Sequence, residues 1–115
     1  MTTLPPGSNL GAMNLEAANA ARLLAQLGNE TRLRIVRLLV RAGRSGMTVG
    51  EIQKELDIPN STLSHHLTSL RHVGLVEQRR ESTVLRCLVD YDRINAIVDF
   101  LTRECCAGEK ERKIL

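Results

Sequence analysis

The stretch Asp57-Ile-Pro-Asn-Ser-Thr-Leu-Ser-His-His-Leu-Thr-Ser-Leu-Arg-His-Val-Gly74 decides the fold. It opens on a Pro-Asn turn and closes on a glycine stop, with a helical pattern between. On a 3.6-residue wheel Leu63, Leu67 and Leu70 fall within one narrow arc and must face a core. Ser61, His65, Thr68 and His72 occupy the opposite arc, flanked by Thr62 and Ser69. These are short hydrogen-bonding side chains that enter a major groove without collision. The first helical N–H groups and the positive end of the helix dipole suit phosphate, which places Asn60, Ser61 and Thr62 for backbone contact. His66 lies beside the leucine arc and reads as a packing or supporting residue. Just upstream, Thr48-Val-Gly-Glu51 has the form of a capping box and opens a short helix through Leu56. A short helix, a tight turn and a second helix make a helix–turn–helix.

Working outward, two strand-like runs follow, Leu75–Arg79 and Val84–Val89, joined by Arg80-Glu-Ser-Thr83. They predict a β-hairpin, placed as a wing directly after the helix–turn–helix. Arg79, Arg80 and Arg86 give that wing a cationic surface. With Asn60, Ser61, Thr62, Ser64, His65 and Thr68 they are the candidate DNA contacts, each phosphate contact adding salt dependence. Asp90 caps a last helix, expected from about Asp92 to Cys106, with Ile94, Ile97, Val98 and Leu101 on one face. Upstream, an alanine-rich helix over Leu15–Leu27 offers a surface that a second helix can approach closely. A turn at Gly28-Asn29 leads to another helix over Glu30–Arg41. The expected organisation is an irregular, flexible arm over residues 1–14, a winged domain over 15–107 and a charged tail over 108–115. The fold class is mainly α with a β-hairpin wing.

The whole chain fits this picture. Its 115 residues suggest one domain. Aromatics are 2% of the chain, too few for modules that stack bases on exposed rings. The net charge is only +3, so the distribution of arginines matters more than their total. No apolar run is long enough to cross a membrane, and the N-terminus lacks a signal-peptide layout. Three cysteines, an odd number, do not make a secreted disulfide framework. The expectation is a cytoplasmic protein in a reducing compartment.

Two stretches, Leu27-Gly-Asn-Glu-Thr-Arg-Leu-Arg-Ile-Val-Arg-Leu-Leu39 and Ser61-Thr-Leu-Ser-His-His-Leu-Thr-Ser-Leu-Arg-His-Val-Gly-Leu-Val76, resemble the ArsR family of bacterial winged-helix repressors. The similarity runs from about Leu15 to Cys106 in the same element order. It implies a homodimer built on the first and last helices, bound to an inverted repeat of double-stranded operator DNA and released by an inducer. The chain departs from the family at the wing tip, where Ser82-Thr83 replaces the usual Gly-Arg. Cys87 stands where the family often has Tyr. The family's Cys-Val-Cys thiolate site on the short helix aligns with Thr48, Val49 and Gly50, and its zinc site on the last helix with Tyr91 and Arg93. Neither site is present.

Cys87, Cys105 and Cys106 remain. Phe100-Leu-Thr-Arg-Glu-Cys-Cys-Ala-Gly108 resembles arsenic-responsive members with a vicinal pair at the end of the last helix. Some of these carry a third cysteine six residues later, here Arg112. The resemblance implies trivalent arsenic, as arsenite or methylarsenite, or antimonite as inducer. Either Cys87 completes a three-thiolate site with Cys105 and Cys106, or the pair suffices for a methylated arsenical that already carries one carbon. The strand and helix legs from Cys87 to Cys105 are roughly 17 and 20 Å, so the trio closes if the helix runs back along its own or a partner's strand. Cys87, sharing a strand face with Leu85 and Val89, also reads as a core thiol. Cys105 continues the stripe of Leu101, with Cys106 rotated ~100° from it. A redox- or persulfide-sensing repressor, with Cys87 bridging to Cys105 or Cys106, is the alternative. Cys106 and Arg112 match a Cys-x5-Arg phosphatase signature, but the preceding strand and following helix that it needs are missing, and no enzymatic activity is expected.

Overall fold

The computed structural model describes residues 15–108. The elements run α1 (Ala17–Leu27), α2 (Glu30–Ala42), β1 (Met47–Thr48), α3 (Val49–Leu56), α4 (Asn60–His72), β2 (Val76–Glu81), β3 (Val84–Val89) and α5 (Tyr91–Thr102). A 3-10 turn over Gly43–Ser45 follows α2. The expected arm over residues 1–14 and residues 109–115 of the expected tail lie outside the described part.

Side-chain caps fix where three helices begin. Asn29 accepts from the Arg32 N–H at 3.0 Å and Asp90 from the Arg93 N–H at 3.1 Å. The capping box of α3 is reciprocal: Glu51 N–H donates to the Thr48 hydroxyl and Thr48 N–H to the Glu51 carboxylate. Such caps contribute about 1 kcal/mol each. Helix α4 stops in a Schellman arrangement: Leu75 N–H reaches the Leu70 carbonyl and Gly74 N–H that of Arg71, both at 3.0 Å. Gly74 has φ +82° there, where a Cβ is disfavoured.

The inner faces meet in an aliphatic core of Leu23, Ile35, Leu39, Ile52, Leu63, Leu67, Leu70, Leu75, Val89 and Ile97, and no polar or charged residue is buried among the described residues. The leucine arc of α4 faces this core. Truncating such a residue to alanine costs about 2–5 kcal/mol. Helix α1 packs on α2 and α5, turning Ala20 and Leu23 inward and leaving Ala17, Ala18, Ala21 and Ala25 exposed.

The wing is a three-stranded antiparallel sheet in the order β1-β3-β2, not the two-stranded hairpin expected. Met47 and Gln78 flank Cys87 in register on either side. The hairpin loop has shrunk to Ser82 and Thr83, with β2 continuing through Glu81 because Arg80 and Glu81 pair with Leu85 and Val84. Helix α5 ends at Thr102, four residues before its expected end. Val98 and Leu101 are 55% and 61% exposed, so among the described residues a further turn beyond Thr102 has no core to rest on, and propensity alone rarely sustains one.

Candidate DNA-binding face and vicinal thiol pair

Helix α4 presents its polar residues as a continuous outer surface: Asn60, Ser61, Thr62, Ser64, His65, Thr68, Arg71 and His72 are all exposed. Its N-terminus has no side-chain cap and no acidic residue in the first turn, whereas α2, α3 and α5 have both. The positive end of the α4 dipole is therefore unneutralised, and N–H groups of the first turn remain open to an anion. Arg71 extends this surface. Its basic side chain beside the polar arc was visible in the sequence, although it was not among the candidate contacts.

His66 stands between this surface and the body of the protein. Its Nδ1 lies 3.4 Å from an Arg32 guanidinium nitrogen, and Arg32 Nε donates to the Gln26 carbonyl at 2.8 Å. Burial, then the Arg32 charge, then the neighbouring His65 depress the His66 pKa. The node links the end of α1, α2 and α4 through polar contacts, which gives His66 the supporting role its position suggested.

The three wing arginines are in different situations. Arg79 and Arg86 face each other across β2 and β3, and strand alternation sends Arg80 to the opposite face. Arg80 is exposed, and Arg79 pairs with Glu77 at 3.1 Å. Arg86 is half-buried: Nε donates to Glu81 at 2.8 Å and another guanidinium nitrogen to the Ser45 carbonyl at 3.1 Å. Arg86 thus fastens the wing to the 3-10 turn, a structural task that distinguishes it from Arg79 and Arg80.

The cysteines also separate. Cys87 is fully buried in the central strand, where Gln78 Nε2 donates to its sulfur at 3.5 Å. Burial outweighs that bond and the nearby Arg71 charge, pushing its pKa up. Cys105 and Cys106 are exposed on two successive turns after α5, closed by Cys105 N–H to the Thr102 carbonyl and Ala107 N–H to the Glu104 carbonyl. Positive φ at Glu104 and Cys106, +63° and +67°, departs from helix geometry. The ~100° separation expected on a helix is thereby lost, and the two Sγ atoms stand 3.4 Å apart. Their mutual hydrogen bond raises the Cys106 pKa. The structure brings Cys105 and Cys106 together without Cys87: among the described residues no three His, Cys, Asp or Glu side chains cluster as a metal site. Arg112, the other half of the Cys-x5-Arg pattern, lies outside the described residues.

An uncapped helix with a polar outer arc, followed by a basic wing, defines a winged helix–turn–helix DNA-binding regulator. A helix-turn-helix domain family matches residues 27–79. The chain is 34% identical over 102 residues to the transcriptional activator HlyU of Vibrio cholerae, covering 89% of this chain and 92% of the relative. It is also 34% identical over 101 residues to the biofilm growth-associated repressor of Agrobacterium fabrum, covering 88% and 84%. A putative arsenical resistance operon repressor of Halobacterium salinarum is 41% identical over 59 residues, 51% of this chain and 45% of that one. Among solved structures, an ArsR-like regulator from Rhodococcus superposes with a TM-score of 0.69 at 25% identity, covering 81% and 85% of the two chains. A homodimeric winged helix-turn-helix domain from Mycobacterium bovis gives a TM-score of 0.60 at 26% identity, covering 98% and 100%. The protein belongs to the ArsR family of winged-helix transcriptional regulators.

Proposed function

We propose that this chain is a homodimeric repressor released from operator DNA when a trivalent arsenical binds Cys105 and Cys106. The observation that carries the reading is the exposed vicinal thiol pair with sulfurs 3.4 Å apart. Sulfurs this close can both ligate one soft, thiophilic ion. Methylarsenite matches two sulfurs: its two hydroxyls leave as water with the two thiol protons, and the methyl group fills the third position. Arsenite and antimonite retain a third position for hydroxide or another thiol. Repression as the mode of action is supported by the relatives named as repressors in Agrobacterium and Halobacterium, the latter of an arsenical resistance operon. Dimerisation is supported by the homodimeric Mycobacterium domain, by the exposed alanines of α1 and by exposed Val98 and Leu101 of α5. Reducing cytoplasm would keep the thiols available, and the role is regulatory rather than catalytic.

In this reading Asn60, Ser61, Thr62, Ser64, His65 and Thr68 meet the operator with Arg79 and Arg80, over an inverted repeat. Closing the ring over the thiols re-forms the turns after Thr102, and α5, packed on α1, transmits the change to the dimer. Moving the protein from 99:1 bound to 1:99 takes about 5.5 kcal/mol of differential affinity. That is modest beside the ~10–16 kcal/mol of a structural thiolate–zinc site. The buried thiol of Cys87, with its raised pKa, is a poor nucleophile, and it offers the redox alternative no accessible partner within one chain. The test is operator release by methylarsenite, arsenite, antimonite and peroxide, read by anisotropy. Cys105→Ser and Cys106→Ser should each abolish release by methylarsenite, while Cys87→Ser should retain it. Normal release from the Cys105/Cys106 double variant would end this assignment.

A further inference from the structure

We propose that the groove between α2 and α3 is a docking site for an acidic amphipathic peptide segment of a protein partner. Arg34, Arg37 and Arg41 form one row along α2, because residues three and four apart share a helix face. The row borders an open groove of about 380 Å³ whose apolar lining is Leu33, Leu38 and Leu56. Leu33 is 42% exposed, while Ile35, Val36 and Leu39 of the same helix are buried. Leu33 therefore belongs to the groove and not to the core. Arg34 is held by Glu30 at 2.7 Å, but Arg37 and Arg41 make no ion pair among the described residues. The groove thus offers two uncommitted guanidinium groups beside exposed leucine surface.

Charge and apolar pattern together select the occupant. Arg37 and Arg41 are separated along the helix by ~6 Å, a spacing that carboxylates four residues apart on a partner helix reproduce, with a third carboxylate one turn away reaching Arg34 in competition with Glu30. Each such pair can be bidentate, while an adjoining apolar stripe covers Leu33 and Leu56 in helix-in-groove fashion. A nucleic-acid backbone fits less well, because it has nothing to cover the leucines and would meet Glu30 and Glu55 on the rim. The groove draws on neither α4 nor β2, nor on the turns carrying Cys105 and Cys106, so the site is independent of the inducer assignment above.

The probe is a fluorescein-labelled amphipathic peptide with glutamates at i, i+3 and i+7 and leucines on the adjoining stripe, titrated by anisotropy with the full-length protein. Saturable binding is expected, weakened roughly tenfold or more by the double variant Arg37→Glu/Arg41→Glu, as for interface arginines generally. Leu33→Ser should weaken it independently. Both variants should keep the wild-type circular dichroism and operator affinity. Absence of saturable binding, equal binding of a scrambled peptide, or indifference to charge reversal would overturn the proposal. So would a loss of operator affinity in Arg37→Glu/Arg41→Glu with a shallower salt dependence, which would make the groove a DNA contact.

Discussion

Gly46 shows how much one missing Cβ can decide. Its φ and ψ of +65° and −163° lie in a region open essentially to glycine alone. An added Cβ would stand 2.3 Å from the Cys87 carbonyl oxygen, a backbone atom that cannot yield. Gly43 has a similar conformation, φ +79° and ψ −157°, but nothing within 4 Å of the added atom. The two alanine variants therefore separate strain from collision. Urea unfolding should show Gly43→Ala losing about 1–3 kcal/mol and Gly46→Ala more, with Cys87 becoming reactive to a thiol reagent only in the second. His66 carries a different kind of dependence. An unfolded-chain histidine titrates near 6.5, and the folded pKa lies lower, so the unfolded state takes up the proton first as pH falls. The stability linked to His66 is thus fully present above about pH 6.5 and is lost as pH falls toward the folded pKa. Unfolding near pH 7.5 and near pH 5.5 should show a larger acid loss for wild type than for His66→Gln. An equal loss in both would remove Arg32 and burial as the cause.

At the scale of elements, the wing holds arginines that look alike in sequence and differ in use. Arg79 and Arg80 are exposed, while Arg86 is committed to Glu81 and Ser45. If both exposed residues meet phosphate, Arg79→Ala and Arg80→Ala should each reduce the slope of log affinity against log salt by about 1. Arg86→Ala should instead lower the unfolding midpoint and leave that slope nearly unchanged. Filter-binding titrations across salt concentrations distinguish the two behaviours. The sequence could not sort these three residues, because the pairing of Arg86 to Ser45 spans 41 positions. What it showed well was whatever depends on short-range pattern: the capping box at Thr48, the leucine arc of α4 and the Gly74 stop. It missed β1, whose two residues are too few to show alternation and which depends on Gly46 approaching β3. It overran α5, since the stripe from Ile94 through Leu101 to Cys105 continues in sequence after its packing partner has ended. The pair itself was legible, but the overrun set Cys105 and Cys106 ~100° apart on a helix, whereas the chain leaves the helix and brings their sulfurs to 3.4 Å.

At the scale of the whole molecule, a single winged domain has one recognition helix, so affinity for an inverted repeat depends on how two copies are joined. Among the described residues, α1 and α5, which pack together, both leave apolar side chains exposed, with Ala17, Ala18, Ala21 and Ala25 on one helix and Val98 and Leu101 on the other. In the proposed homodimer the small residues let a second helix approach closely, and the two larger apolar side chains become buried at the seam. Because Val98 and Leu101 are already more than half exposed in one chain, charging them should leave the protomer folded. Val98→Asp/Leu101→Asp is therefore expected to sediment as a monomer with unchanged circular dichroism. Its operator affinity should fall by about 10²–10⁴, the avidity lost when two linked sites become separate binding events. The same variant also tests how the thiol pair communicates. If arsenical binding acts by changing the dimer angle, the monomer should still take up methylarsenite at Cys105 and Cys106, yet its residual DNA binding should no longer respond. A monomer whose weak binding is still abolished by methylarsenite would place the switch within one protomer, along α5 to α4, and remove the dimer from the mechanism.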